Sequence, residues 1–331
     1  MRRSSLKRAL VHVLAEGGFL LLASTVGGLV FARAHLPPPP AFVAPRPPET
    51  KDRLTPEQME AMVAGPVALL RQGKAAEADA AARRLVDAAQ ARGDSVRAAD
   101  LLTAYGVQRF SDATAHGGPE DRRGAIPWFR EAVAAARRAW GPDHPETALA
   151  LNDLGDVLRQ IAPDAPGEEA EQALRQAYAI RLKTLGPRNP ETLAAGRALA
   201  DVLSAGPPAA RLRAGTDAEI RKLYRDAAEG QEARGAAVPA PERLGPWMGL
   251  ALAEARSGRP AEALADYERA RRALLLDAPK GPPDFLGCAT FAEARRHLAE
   301  IFKARGEAEA AERVGGRTQG DPLSDCLVGK P

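Results

Sequence analysis

Trp140-Gly-Pro-Asp-His-Pro-Glu-Thr147 and Leu185-Gly-Pro-Arg-Asn-Pro-Glu-Thr192 are two copies of one phrase, 45 residues apart. The match runs on: Leu154-Gly155-Asp156-Val157-Leu158 returns as Leu199-Ala200-Asp201-Val202-Leu203. A fixed period in this range is the mark of stacked helical hairpins. Each Pro-Glu-Thr places a proline and an acid in the first turn of a helix, where the missing N–H costs nothing and the dipole favours negative charge. A single hairpin cannot bury its apolar face, so its neighbours must complete the core. The expected product is an extended surface rather than a catalytic pocket, and the expected work is binding.

Outward from the phrase, start and stop signals divide the chain into helices. Thr55-Pro56-Glu57 opens the first. The expected pairs are 56–72 with 75–92, 95–112 with 120–140, and 145–161 with 168–185. Two more are 190–204 with 217–234 and 242–257 with 260–277, and one long last helix covers 289–314. Gly65-Pro66 is expected to interrupt the first. Aromatics make up only 5% of the chain, and alanine, leucine, arginine and glutamate dominate its middle. That palette favours helix and disfavours strand, so the class is all-α.

These residues resemble the tetratricopeptide repeat (TPR), in which small residues mark close helix crossings and larger ones fill the gap between repeats. In the last pair Trp247, Leu250, Ala251, Gly258, Ala263, Tyr267 and Ala270 fall at the family's spacing. Second helices match at Ala125, Phe129 and Ala132, then at Ala170, Leu174 and Ala177. The G-P-x-x-P-E-T phrases are similar to the kinesin-light-chain subtype. The resemblance implies a right-handed superhelical stack of TPR-like hairpins acting as a non-enzymatic protein-binding scaffold. First helices would line a concave groove. In that groove Asn152, Asp156, Arg159, Arg197 and Asp201 become candidate peptide-binding residues, with Ser204, Met248, Leu252 and Arg256 at matching positions. Chemically, Asn152 offers a donor and an acceptor to a peptide backbone, and the arginines fork onto carboxylates. Asp156 and Asp201 are equally suited to pairing within their own repeats.

The N-terminus reads differently. Residues 2–8 carry four cations, and Phe19–Phe31 is an uncharged run. Residues 1–34 are either a signal-anchor, spanning roughly 10–31, or a signal peptide cleaved after Ala32-Arg33-Ala34. In both cases the bulk of the chain is exported, retained in the membrane in the first case and periplasmic or secreted in the second. Residues 35–54 form a linker with seven prolines between Pro37 and Pro48, a semi-rigid spacer. The TPR-like domain then covers 55–314, and 315–331 is a tail.

The leader bears a net charge of +4 over residues 1–35, against +3 for the whole chain. The rest is therefore close to neutral and has no basic field to attract nucleic acid. No phosphate-binding loop, nucleophile elbow or H-E-x-x-H helix is present. The five histidines are scattered, so no metal, cofactor or catalytic residue is expected. His144, which recurs as Asn189, suits a turn or cap. Cys288 and Cys326 are the only cysteines. They are a candidate disulfide, with a tail just long enough to return along an unbroken final helix.

Overall fold

The computed structural model describes residues 54–162, 167–205, 215–235, 240–275 and 285–316. The chain divides into two compact units, Met1–Val43 and Ala44–Pro331. The first unit, the signal or anchor and most of the linker lie outside the described residues. Among the described residues every regular element is a helix, and none is long and apolar enough to cross a membrane.

The described residues form thirteen helices, in order: α1 Pro56–Leu70, α2 Ala75–Ala91, α3 Ser95–His116, α4 Pro119–Arg123, α5 Ile126–Trp140, α6 Pro145–Ile161 and α7 Glu168–Leu185. The remainder are α8 Pro190–Ala205, α9 Thr216–Arg234, α10 Ala240–Arg256, α11 Pro260–Leu275, α12 Phe285–Ala304 and α13 Ala308–Gly315. Within this unit each helix packs on its hairpin partner and on the next hairpin, as a quasi-one-dimensional array requires.

The starts are capped as their residues dictate. Thr55 and Gln58 make a reciprocal capping box on α1, and Asp94 accepts from the Arg97 N–H at the start of α3. Buried arginines serve the C-terminal ends. Arg243 donates to the carbonyl of Ala273, and Arg295 donates to those of Val314 and Gly316. A cation at a helix C-terminus satisfies orphan carbonyls and complements the dipole.

Three expectations change. Helix α1 runs through Pro66, because the proline ring is itself buried in the core and that burial offsets the loss of one backbone hydrogen bond. The expected 120–140 helix is two pieces separated at Gly124-Ala125, with Pro127 in the first turn of the second; proline cannot continue the ladder. The expected 289–314 helix begins earlier and breaks at 305–307, where Gly306 has φ +75°. Only glycine takes that conformation freely.

The core forms two apolar clusters, and α7 serves both. Ala173, Ala177 and Ile180 face the cluster that begins at Val63; Ala170 and Leu174 face the one that ends at Val314. The residues carrying the family spacing are buried: Ala125, Phe129, Ala170, Leu174, Trp247, Leu250, Ala263 and Ala270 are all at most 4% exposed. Within the second hairpin Tyr105 of α3 and Trp128 of α5 meet edge to face, with ring centroids 4.6 Å apart.

Candidate functional site

The five residues expected on the groove come from the first helices of two consecutive hairpins. Asn152, Asp156 and Arg159 lie on α6; Arg197 and Asp201 lie on α8. All are half-buried. On α6 the Asn152 Nδ2 donates to Asp156 Oδ2 at 2.8 Å, and Arg159 Nη2 donates to Asp156 Oδ1 at 3.2 Å. On α8 the matching pair is Arg197 and Asp201, with Nε and Oδ2 4.0 Å apart. Each aspartate is thus paired within its own repeat, at the helical spacing that brings side chains together.

Two residues missed by the sequence reading tie the helices together. Arg181 on α7 is 4% exposed, and its Nη1 reaches Asn152 Oδ1 at 3.4 Å and the Glu191 carbonyl at 3.3 Å. Burial pulls its guanidinium down from the ordinary value, against the opposing field of Glu191 and the aspartates of α6. Tyr224 on α9 donates its hydroxyl to Asp201 Oδ1 at 2.8 Å. Burial raises the Asp201 carboxyl; Arg197, the Tyr224 hydroxyl and Arg159 oppose that shift. Arg159 and Asp156 therefore act on Asp201 across the repeat boundary, and the five residues form one electrostatic row. Arg197 also lies flat on α10, where a Cβ at Gly245 would come within 2.7 Å of its Nη2.

A signal for Arg181 was present: it stands in the apolar stripe of Leu174, Ala177 and Ile180. Tyr224 had none, because its partner is 23 residues away in sequence. The row stops after α8. Met248, at the matching place on α10, is 2% exposed and belongs to the core. Asn152 has both amide functions engaged within the protein. Arg159 and Arg197 are about one-third exposed and keep spare N–H donors. They are the members best placed to fork a partner's carboxylate.

Elsewhere the chemistry is spent on the array. Arg83–Glu131, Arg130–Glu169 and Arg175–Glu219 link successive second helices by close ion pairs. A cavity of about 520 Å³ lies between α2, α3 and α5, lined by Gln90, Ser95, Ala98, Glu131, Ala134 and Arg138. Its carboxylate, Glu131, is already forked by Arg83 at 2.5 and 2.9 Å. Among the described residues no three histidine, cysteine or acidic side chains gather as metal ligands do. Cys288, half-buried on α12, is disulfide-bonded; Cys326 lies outside the described residues.

A one-dimensional array of helical hairpins with a polar row on consecutive first helices is a repeat scaffold. A tetratricopeptide-repeat family model matches residues 113–146, from the end of α3 through the first copy of the phrase. The crystal structure of BtubC (BKLC) from P. vanneervenii is similar, with TM-score 0.50 and 17% identity, covering 81% of this chain and 90% of that one. That likeness concerns the fold. A structure described as a Podosopora anserina putative kinesin light chain with nearly identical TPR-like repeats aligns at TM-score 0.45 and 20% identity, covering 66% of this chain and 92% of that one. No curated protein matches the chain. The chain thus carries one tetratricopeptide-repeat match, at residues 113–146, within a helical-repeat fold similar to that of BtubC.

Proposed function

We propose that this chain is a membrane-anchored, exported TPR-like scaffold. It holds an extended segment of a partner protein along Asn152, Asp156, Arg159, Arg197 and Asp201. The observation that carries the binding reading is the row itself. Equivalent positions on α6 and α8 carry interacting, half-exposed charges of both signs, linked across the repeat boundary by Arg159 and Asp156 acting on Asp201. The two arginines grip carboxylates of the partner, while Asn152, Arg181 and Tyr224 hold the aspartates in register. Exposed charge pairs contribute little affinity each, so binding is moderate and weakens with salt. The anchor reading rests on the cationic start, the apolar run to Phe31 and the proline spacer. Cys288 pairs with Cys326, as oxidation after export favours.

The binding test is crosslinking in cells to recover a partner, then affinity measurement with purified protein. Arg159→Gln with Arg197→Gln should weaken binding about tenfold or more while helix content is kept. Full affinity in that folded variant places the partner elsewhere. For the tether, an alkaline wash should leave the protein in the membrane pellet. A soluble protein whose mature N-terminus is His35 would replace the anchor with a cleaved signal. Intact mass after alkylation, with and without reductant, tests the disulfide.

A further inference from the structure

Glu254, in the last turn of α10, is fully buried, yet three guanidinium groups surround it. Arg225 Nη2 lies 3.1 Å from Oε1, and Arg221 Nε and Arg259 Nε lie 3.6 and 3.7 Å from Oε2. One well-placed cation suffices to neutralise a buried carboxylate. Here two positive charges remain over. A fourth arginine, Arg305, reaches the same turn from the break between α12 and α13, donating to the Arg256 carbonyl at 3.4 Å. Its own charge is matched by Glu307, 3.2 Å away.

The surplus is accessible. The Arg259 side chain is 48% exposed, and its guanidinium makes no hydrogen bond among the described residues. Arg225 is 47% exposed and gives one hydrogen bond, to Glu254. Arg221 donates to the Ser257 hydroxyl at 2.9 Å, which fixes the inner wall. Helix α11 begins at Pro260, so the positive end of its dipole opens at this turn. Arg259, just before it, has no acceptor with which to cap it. Two further acids are close in sequence. Asp266, which also feels Glu254 and Arg225, is held by Arg269 at 3.1 Å, a further guanidinium that leaves the count unchanged, and Glu262 is exposed in the first turn of α11. The repeat domain is otherwise near neutral, so this concentration of positive charge is local.

We infer that the α10–α11 turn, residues 256–259 with Arg221 and Arg225 of α9, is a binding site for a phosphoryl dianion, free or carried on a larger molecule. Two uncompensated charges match a dianion; a single carboxylate would leave one unmet. Arginine forks suit the several oxygens of a phosphoryl group. The buried Glu254 acts as the anchor that aims the guanidinium groups outward. The site lies on α9–α11 and shares no residue with the row on α6 and α8.

Isothermal titration of the full-length protein with inorganic phosphate at low ionic strength tests this. Saturable binding is expected with Kd on the order of 0.1–1 mM. Arg259→Ala should weaken it about tenfold or more, and Arg225→Ala similarly. Arg130→Ala, which removes an arginine from the Glu169 ion pair, should leave it unchanged. The Arg259 guanidinium makes no hydrogen bond among the described residues, its backbone bonds to Glu254 and Ala263 survive truncation, and far-UV circular dichroism verifies that each variant keeps its helix. O-phosphoserine distinguishes the source of the phosphoryl group. Tighter binding than phosphate points to a phosphoryl carried on a larger molecule, and equal binding points to the free ion. The inference is overturned by no saturable heat up to about 10 mM phosphate, by wild-type affinity in folded Arg259→Ala, or by glutamate binding as tightly as phosphate.

Discussion

The two copies of the duplicated phrase perform the same turn with different atoms. Gly141 and Gly186 end the preceding helices at φ +94° and +85°. His144 then caps α6 through Nδ1, which accepts the Glu146 N–H at 3.2 Å; Asn189 caps α8 through Oδ1, which accepts the Glu191 N–H at 2.8 Å. In the first copy Trp140 stacks on His144, with centroids 6.2 Å apart; in the second, Leu185 stands in Trp140's place. Thr147 and Thr192 are both buried. The first donates to the Gly141 carbonyl at 2.6 Å, while the second has no hydrogen-bond partner. Eight residues further on, the first copy has Gly155 where the second has Ala200, which is fully buried. The repeat therefore preserves backbone geometry and burial, and leaves the polar details free to drift.

The sharpest way to break the equivalence is Gly155→Ala, which copies the second repeat into the first. A Cβ there would lie 2.4 Å from Leu174 Cγ. Denaturant unfolding should show a loss of about 1–3 kcal/mol. A neutral result would show that α6 and α7 can separate at no cost.

Thr147→Val comes next. It removes the donor to the Gly141 carbonyl inside a buried turn and should cost about 1–2 kcal/mol by thermal or chemical unfolding.

The caps give a pH-dependent difference. His144 can accept a hydrogen bond at Nδ1 only while that nitrogen is unprotonated, and burial lowers its pKa below the ordinary 6.5. A depressed folded pKa means the unfolded chain binds the proton first. The stability is therefore present above pH 6.5 and is lost as pH falls through the folded value. Lowering pH from 7.5 to 5 should weaken the first copy by about 0.5–1 kcal/mol, the worth of a cap. His144→Asn, borrowed from the second copy, should flatten that dependence. An unchanged pH profile in this variant would remove the cap from the explanation.

Thr192→Val should have the smallest effect. Its hydroxyl is buried without a partner, so an isosteric methyl should be neutral within about 0.5 kcal/mol or slightly stabilising. Equal losses for Thr147→Val and Thr192→Val would show that the hydrogen bond in the first copy contributes nothing.

Much of the fold was legible because it is local and repeated. Helix starts came from Thr55, Pro145 and Pro190, and the buried stripe came from small residues at fixed spacing. Misreadings arose where a distant partner decides the outcome. Pro66 stays inside α1 because the core covers it. Met248 leaves the groove register because α10 packs it inward. Of the candidate row, the positions on α6 and α8 were readable from the repeat, but not their mutual engagement. Arg181 and Tyr224 approach from neighbouring second helices, 29 and 23 residues from Asn152 and Asp201. No periodicity within a single helix encodes such a contact.

The sequence by itself determined the helical class, the hairpin period, the capped turns and the small residues at helix crossings. Those properties depend on backbone propensity and on side chains three or four positions apart. Only the tertiary structure decided which charges are spent and which remain. Whether an arginine closes a helix end, as Arg295 does, bridges two repeats, as Arg130 does, or stands half-exposed over a buried Glu254, as Arg259 does, depends on what the next hairpin brings beside it. Charge acts through space and through burial, and both are set only when neighbouring hairpins pack together.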